Sequence, residues 1–137
     1  MKLFYVTASD GPGVRRQIAA AKEEYEAGGR NGGANPLHPA LIIDGKALTA
    51  VAENGAEPPL LELARMCEAV IACRVSPGQK REIVAMVRSG VSPEPMTLAI
   101  GDGANDVPMI TEAHVGYATR RRWGRQGSLI LLVRWEI

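Results

Sequence analysis

Aromatic residues make up only 4% of the 137 residues, with a single phenylalanine, so a core has to be assembled almost entirely from aliphatic side chains. Cysteine is as scarce. Cys67 and Cys73 are the two present, with no second pair, which excludes a disulfide framework and a paired-cysteine zinc site and makes a reducing compartment the expectation. Neither sign of charge is in excess: Lys plus Arg is 16, Asp plus Glu is 15, and the net charge of +1 gives no polyelectrolyte reason to bind nucleic acid or an anionic membrane surface. Long apolar runs are missing as well. None approaches the roughly 20 residues that cross a bilayer, and the opening MKLFYVTASD holds too short an apolar stretch for a signal-peptide core. The length suits one domain with a core of its own and excludes a multidomain enzyme.

What is abundant is punctuation. Gly 15 and Pro 9 exceed average usage for such a chain, so much of it should be turn. Leu3 to Thr7 reads as a buried strand, Asp10-Gly11-Pro12-Gly13 as a turn, and Val14 to Ala27, rich in Ala, Glu, Arg and Lys, as a helix. The glycine- and proline-rich stretch from Gly28 to Pro39 has no periodicity and reads as a loop. Ala40 to Asp44 is a second apolar strand, and Leu60, Leu63, Ala64 and Cys67 are spaced as one face of a helix. Ala69 to Cys73 is a third strand. Ser76-Pro77 then offers a capping hydroxyl before a proline at the first helical position, and Ile83, Val84, Val87 and Val91 form one apolar stripe on the helix that follows. Met96 to Ile100 is a further strand, leading through a Gly-Asp loop to a short helix over Val107 to Ala113. Repeated strand-helix units predict an α/β fold, Rossmann-like, with a mostly parallel sheet and helices on both faces. Ligands bind such sheets beyond the carboxyl ends of the strands, where Asp44, Arg74 to Lys80 and Gly101 to Asp106 are all expected to share one rim.

The strongest constellation is Gly101-Asp102-Gly103-Ala104-Asn105-Asp106. Two carboxylates four apart on a turn feeding a helix can face one hard cation, and Mg2+ favours a few carboxylates with waters and phosphate oxygens. The two glycines permit a sharp bend and a close backbone approach, and the Asn105 amide can donate to a phosphoryl oxygen. Turn-forming Asp, Gly and Asn account for any two of these residues, though less readily for all six after an apolar strand. Lys80 falls in the first turn of its helix, where the dipole disfavours a cation, so it invites negative charge at the rim. Arg74 can pair bidentately with phosphate, or bridge a surface acid. His38 and His114 have no second ligand at metal spacing and read as structural.

CRVSPGQK at Cys73 to Lys80, TLAIGDGANDVPMI at Thr97 to Ile110 and ALIIDGKALT at Ala40 to Thr49 resemble, in order and spacing, the phosphorylation domain of P-type ATPases, within the haloacid-dehalogenase-like superfamily. The phospholipid-translocating subgroup, the flippases, is the most similar, and the resemblance runs from about Leu3 to Gly116. It implies that Asp102 and Asp106 hold Mg2+, that Lys80 contacts the phosphoryl group, that Asn105 contacts phosphate and that Arg74 lines an ATP site; it assigns Asp44 no role. In the family, ATP phosphorylates an aspartate, and hydrolysis of the aspartyl phosphate is coupled to movement of a phospholipid between leaflets. The implied parent is a membrane protein carrying this domain on its cytoplasmic side, with the rest of the pump as partner. The isolated chain would be soluble and cytoplasmic.

The departures are equally definite. The family's nucleophile lies in an Asp-Lys-Thr-Gly-Thr loop, yet the aspartates here are Asp10, Asp44, Asp102 and Asp106, and none is followed by Lys-Thr. Without an enzyme nucleophile the covalent route is closed, so the isolated chain is expected to be inactive, and a non-catalytic Mg2+- or nucleotide-binding module or an inert truncated product is the alternative. The resemblance stops at Gly116. Residues 117–137 then form a divergent tail, with Arg120, Arg121, Arg122 and Arg125 beside Trp123, expected to be solvated or to add an edge strand through Leu129 to Val133.

Overall fold

A computed structural model describes residues 1–29 and 38–118, which fall into two compact units, one running to Cys73 and the other starting at Arg74. The first unit contains β1 (Lys2–Val6), α1 (Gly11–Gly29), β2 (Pro39–Asp44), α2 (Gly45–Glu53), α3 (Glu57–Met66) and β3 (Ala69–Cys73). Its strands lie in the order β1-β2-β3 with both pairings parallel, Leu3 opposite Ala40 and Ile42 opposite Ile71. Successive strand residues point to opposite faces, so the burial of adjacent Ala40 and Leu41, at 2% and 0% exposure, means that both faces of the central strand are covered. Phe4 and Val6 from β1, Val14 and Ile18 from α1, Ala47 and Val51 from α2, and Leu60 and Leu63 from α3 supply the rest of that core.

The second unit contains α4 (Pro77–Gly90), β4 (Leu98–Gly101), a 3-10 turn at Ala104–Asp106, α5 (Val107–Glu112) and β5 (Val115–Ala118). β4 and β5 pair in parallel, with Leu98 opposite Val115 and Gly101 opposite Ala118. The stripe expected on α4 is buried at Ile83, Val84 and Val87, as are Ala99 of β4 and Met109 of α5. The opposite side of the ribbon, formed by Leu98, Ile100, Val115 and Tyr117, is half exposed or more.

The parallel α/β character is as the pattern predicts, and the differences are local. α1 begins inside the expected turn, at Gly11, because Asp10 Oδ2 accepts the Gly13 N–H at 2.8 Å and starts a helix there. Gly28 and Gly29 belong to α1 and Pro39 to β2; the remainder of the expected loop, residues 30–37, lies outside the described residues, as does the tail from residue 119 with its arginines. β5 continues through Tyr117 and Ala118, past the Gly116 boundary. The described strands form two sheets, because the short β4 finds its ladder partner in β5, and Asp44 belongs to a different unit from Lys80 and Asp102. No helix among the described residues is long and apolar enough to cross a membrane.

Candidate functional site

α4 starts with a reciprocal cap. Ser76 Oγ accepts from Gln79 N at 3.2 Å and Gln79 Oε1 accepts from Ser76 N at 3.0 Å, which satisfies two amides that the helix itself cannot and fixes the turn carrying Lys80. Arg74, ahead of that cap, is exposed and holds a left-handed backbone at φ 54, a conformation that costs a residue with a Cβ on the order of 1 kcal/mol.

Across from the cap, β4 ends at Gly101 and the chain folds back on itself. Asp106 is 3% exposed, and its carboxylate is the hub of the unit. Lys80 Nζ donates to Oδ1 at 2.6 Å, and the Asp102 N–H donates to Oδ2 at 3.1 Å. The Asp106 N–H in turn donates to Gly103 O at 3.0 Å. Gly101 is required by this closure: a Cβ there would lie 2.3 Å from the Asp106 Cβ. Gly103 is extended, at φ −146, so its expected freedom to bend is not used. Burial pushes the Asp106 carboxyl up, but the Lys80 hydrogen bond, the Asp102 amide, the Lys80 charge and the Gly103 hydrogen bond together outweigh it and hold the group below the usual carboxylate range. A lysine in the first turn of a helix is thus explained in part by an internal anion, 5% exposed, that it neutralises.

The structure therefore brings Lys80, Asp102 and Asp106 together. Asn105 and Arg74 are exposed, and among the described residues neither hydrogen-bonds to Asp106. Asp44 is a helix cap: its Oδ1 accepts from Ala47 N at 2.8 Å and starts α2. Sequence reading passed over Arg88 and Arg81, which anchor α5 through Glu112. The only available signal was that both lie off the apolar stripe of a helix carrying a candidate lysine.

Asp102 is exposed at the bend and offers hard oxygen atoms, which fits a cation such as Mg2+. Both oxygens of Asp106 already accept hydrogen bonds, from Lys80 and from the Asp102 amide, and these fix the loop. Among the described residues no three His, Cys, Asp or Glu side chains converge.

Parallel strand-helix units ending in a glycine-aspartate loop, with a lysine from the preceding helix on its carboxylate, define a Rossmann-like α/β protein. No protein-family model matches the chain. Curated relatives do. The chain is 52% identical over 90 residues to phospholipid-transporting ATPase 1 of Arabidopsis thaliana, covering 66% of this chain and 8% of the relative. It is 40% identical over 112 residues to phospholipid-transporting ATPase dnf2 of Schizosaccharomyces pombe, covering 82% of this chain and 8% of that protein. Phospholipid-transporting ATPase DRS2 of Saccharomyces cerevisiae is 51% identical over 89 residues, 65% of this chain and 6% of its own length. The chain corresponds to a region of P-type ATPases, and these relatives are phospholipid-transporting ones. It spans less than a tenth of the length of these relatives.

Proposed function

We propose that the chain is the carboxyl-terminal part of a haloacid-dehalogenase-like phosphorylation domain of a phospholipid-transporting ATPase, and that it supplies the loops contacting Mg2+ and the phosphoryl group. The observation that carries this reading is the convergence of Lys80 and the Gly101–Asp106 loop on one buried carboxylate, with Lys80 Nζ at 2.6 Å. Lys80, steadied by Asp106, presents positive charge where a transferring phosphoryl group gathers negative charge. The Asn105 amide donates to a phosphate oxygen, and the outward Arg74 guanidinium lines the nucleotide. Asp102 would hold Mg2+, which when bound neutralises charge on phosphate oxygens. In the whole pump this chemistry, on ATP and an aspartyl phosphate, drives phospholipid between leaflets from the cytoplasmic side of a membrane.

None of the four aspartates is followed by Lys-Thr, so the chain by itself binds without turning over. Calorimetry on the purified chain should record weak Mg2+ binding, with or without ATP, that disappears in Asp102→Ala. A folded chain that binds neither Mg2+ nor nucleotide overturns the reading in favour of an inert product. Mg2+-dependent ATP hydrolysis by the pure chain, abolished in Asp102→Ala, overturns the expected lack of turnover.

A further inference from the structure

α5 has only 6 residues, whereas isolated helices shorter than about 12 residues are marginal in water, so its position is set by what holds it. At its start, Asp106 is tied to Lys80 of α4. At its end, Arg88 of the same helix donates from Nη1 to the Glu112 backbone oxygen at 2.7 Å, and Arg81 donates from Nε to Glu112 Oε2 at 3.0 Å. At ~1.5 Å per helical residue, Lys80 and Arg88 stand about 12 Å apart along α4, and Asp106 and Glu112 about 9 Å apart along α5. One helix thus grips both ends of the other, and the two run in the same direction. The grips suit the charges: an anion at the amino end of α5 and a cation at its terminal carbonyl both complement the helix dipole.

Arg88 is itself held. Its side chain is about a third exposed, with Nε and Nη2 each 3.5 Å from Glu94 Oε1. The same oxygen lies 3.2 Å from His114 Nε2, while His114 Nδ1 accepts the Thr97 N–H at 3.2 Å. The contacts run unbroken from α4 to the residue that leads into β4.

We propose that Arg88 is a positioning residue for the Asp106 loop: by holding the terminal carbonyl of α5 it sets where α5 sits along α4, and thereby the register at which Asp106 meets Lys80 and the Asp102 amide. The inference deepens the proposed phosphate and Mg2+ role of that loop and takes its functional meaning from it. Arg88 acts at the far end of α5, on Glu112, so its effect on the loop passes through α5. A residue that merely stabilised the unit would, when lost, loosen α4 and the loop alike.

The test is amide hydrogen exchange by NMR on the full chain, without metal or nucleotide. Arg88→Met should speed exchange of the Asp102 amide by about tenfold relative to the amides in the middle of α4, as expected for loss of a charge-assisted hydrogen bond. Arg88→Lys, which restores a cationic donor, should bring most of that protection back, and Arg81→Met, which removes only a largely exposed pair to the Glu112 side chain, should have a clearly smaller effect than Arg88→Met. Asp102 exchange that does not change, or that rises only in step with α4, overturns the proposal. Should Arg88→Met not fold, exchange of the unaltered chain in low denaturant decides: the Asp102 and Ala113 amides opening as one unit supports the coupling, and separate opening overturns it. Because no Mg2+ is present, this outcome is independent of whether the chain binds Mg2+, which is what the calorimetry reads.

Discussion

The three strands of the first unit enclose uncharged side chains, with Val6, Leu41 and Leu63 fully covered, whereas β4 and β5 bury Ala99 on one side and leave Leu98, Ile100, Val115 and Tyr117 to solvent on the other. Among the described residues the buried charged side chain, Asp106, lies in the second unit. Apolar burial is non-directional and forgiving, and a buried ion pair is neither: its attraction must first repay the desolvation of both partners. The first unit is built for stability. The second places its charged groups at specified points, where a misplaced partner is costly.

The sharpest way to break that contrast is Lys80→Met. Stranding the Asp106 charge in its buried site should cost about 4 kcal/mol, seen as lost amide protection around α5. Asp106 binds its proton more weakly folded than unfolded, so its contribution is complete above the ordinary carboxylate range and is lost as pH falls through the depressed folded value. In Lys80→Met only burial and the amides remain to act on the carboxyl, so acid unfolding monitored by tryptophan-independent far-UV circular dichroism should begin at a higher pH. Next, Leu41→Ala in the central strand should cost about 3 kcal/mol, read as a lower denaturant midpoint, with no change in the Asp106 titration. The smallest effect has the opposite sign. Arg74→Gly relieves the left-handed backbone and should add up to about 1 kcal/mol in the same assay, while weakening nucleotide binding if Arg74 lines that site.

Much of this arrangement is legible in the sequence. Ser76-Pro77 announces the start of α4, the stripe through Ile83, Val84 and Val87 identifies its buried face, and the six residues from Gly101 mark the loop. α2 is not read, because Asp44-Gly45 is equally a turn signal; what decides is the Asp44 carboxylate reaching Ala47 N, a contact that follows from the helix once formed. β5 is hidden because it is only 4 residues long and exposed on every one of them, so it carries no alternation. The partner of Lys80 is out of reach for another reason. The sequence places a lysine at a rim and two aspartates on a loop, and only packing selects the second aspartate as its anion. Arg88 is subtler still, since its acceptor is a backbone oxygen and leaves no trace in residue identity.

The contact between Gly101 and Asp106 has a consequence for what can be altered in this loop. The Asp102 amide closes a ring onto the Asp106 carboxylate, and the strand-end glycine presses against the same side chain, so the segment works as a latch of one fixed length. Deleting or inserting a residue between Asp102 and Asp106 would swing the carboxylate off the lysine about 100° around the helix that follows. Composition within the loop is open to change where a side chain faces solvent and takes no part in binding, as at Ala104. Its residue count is not.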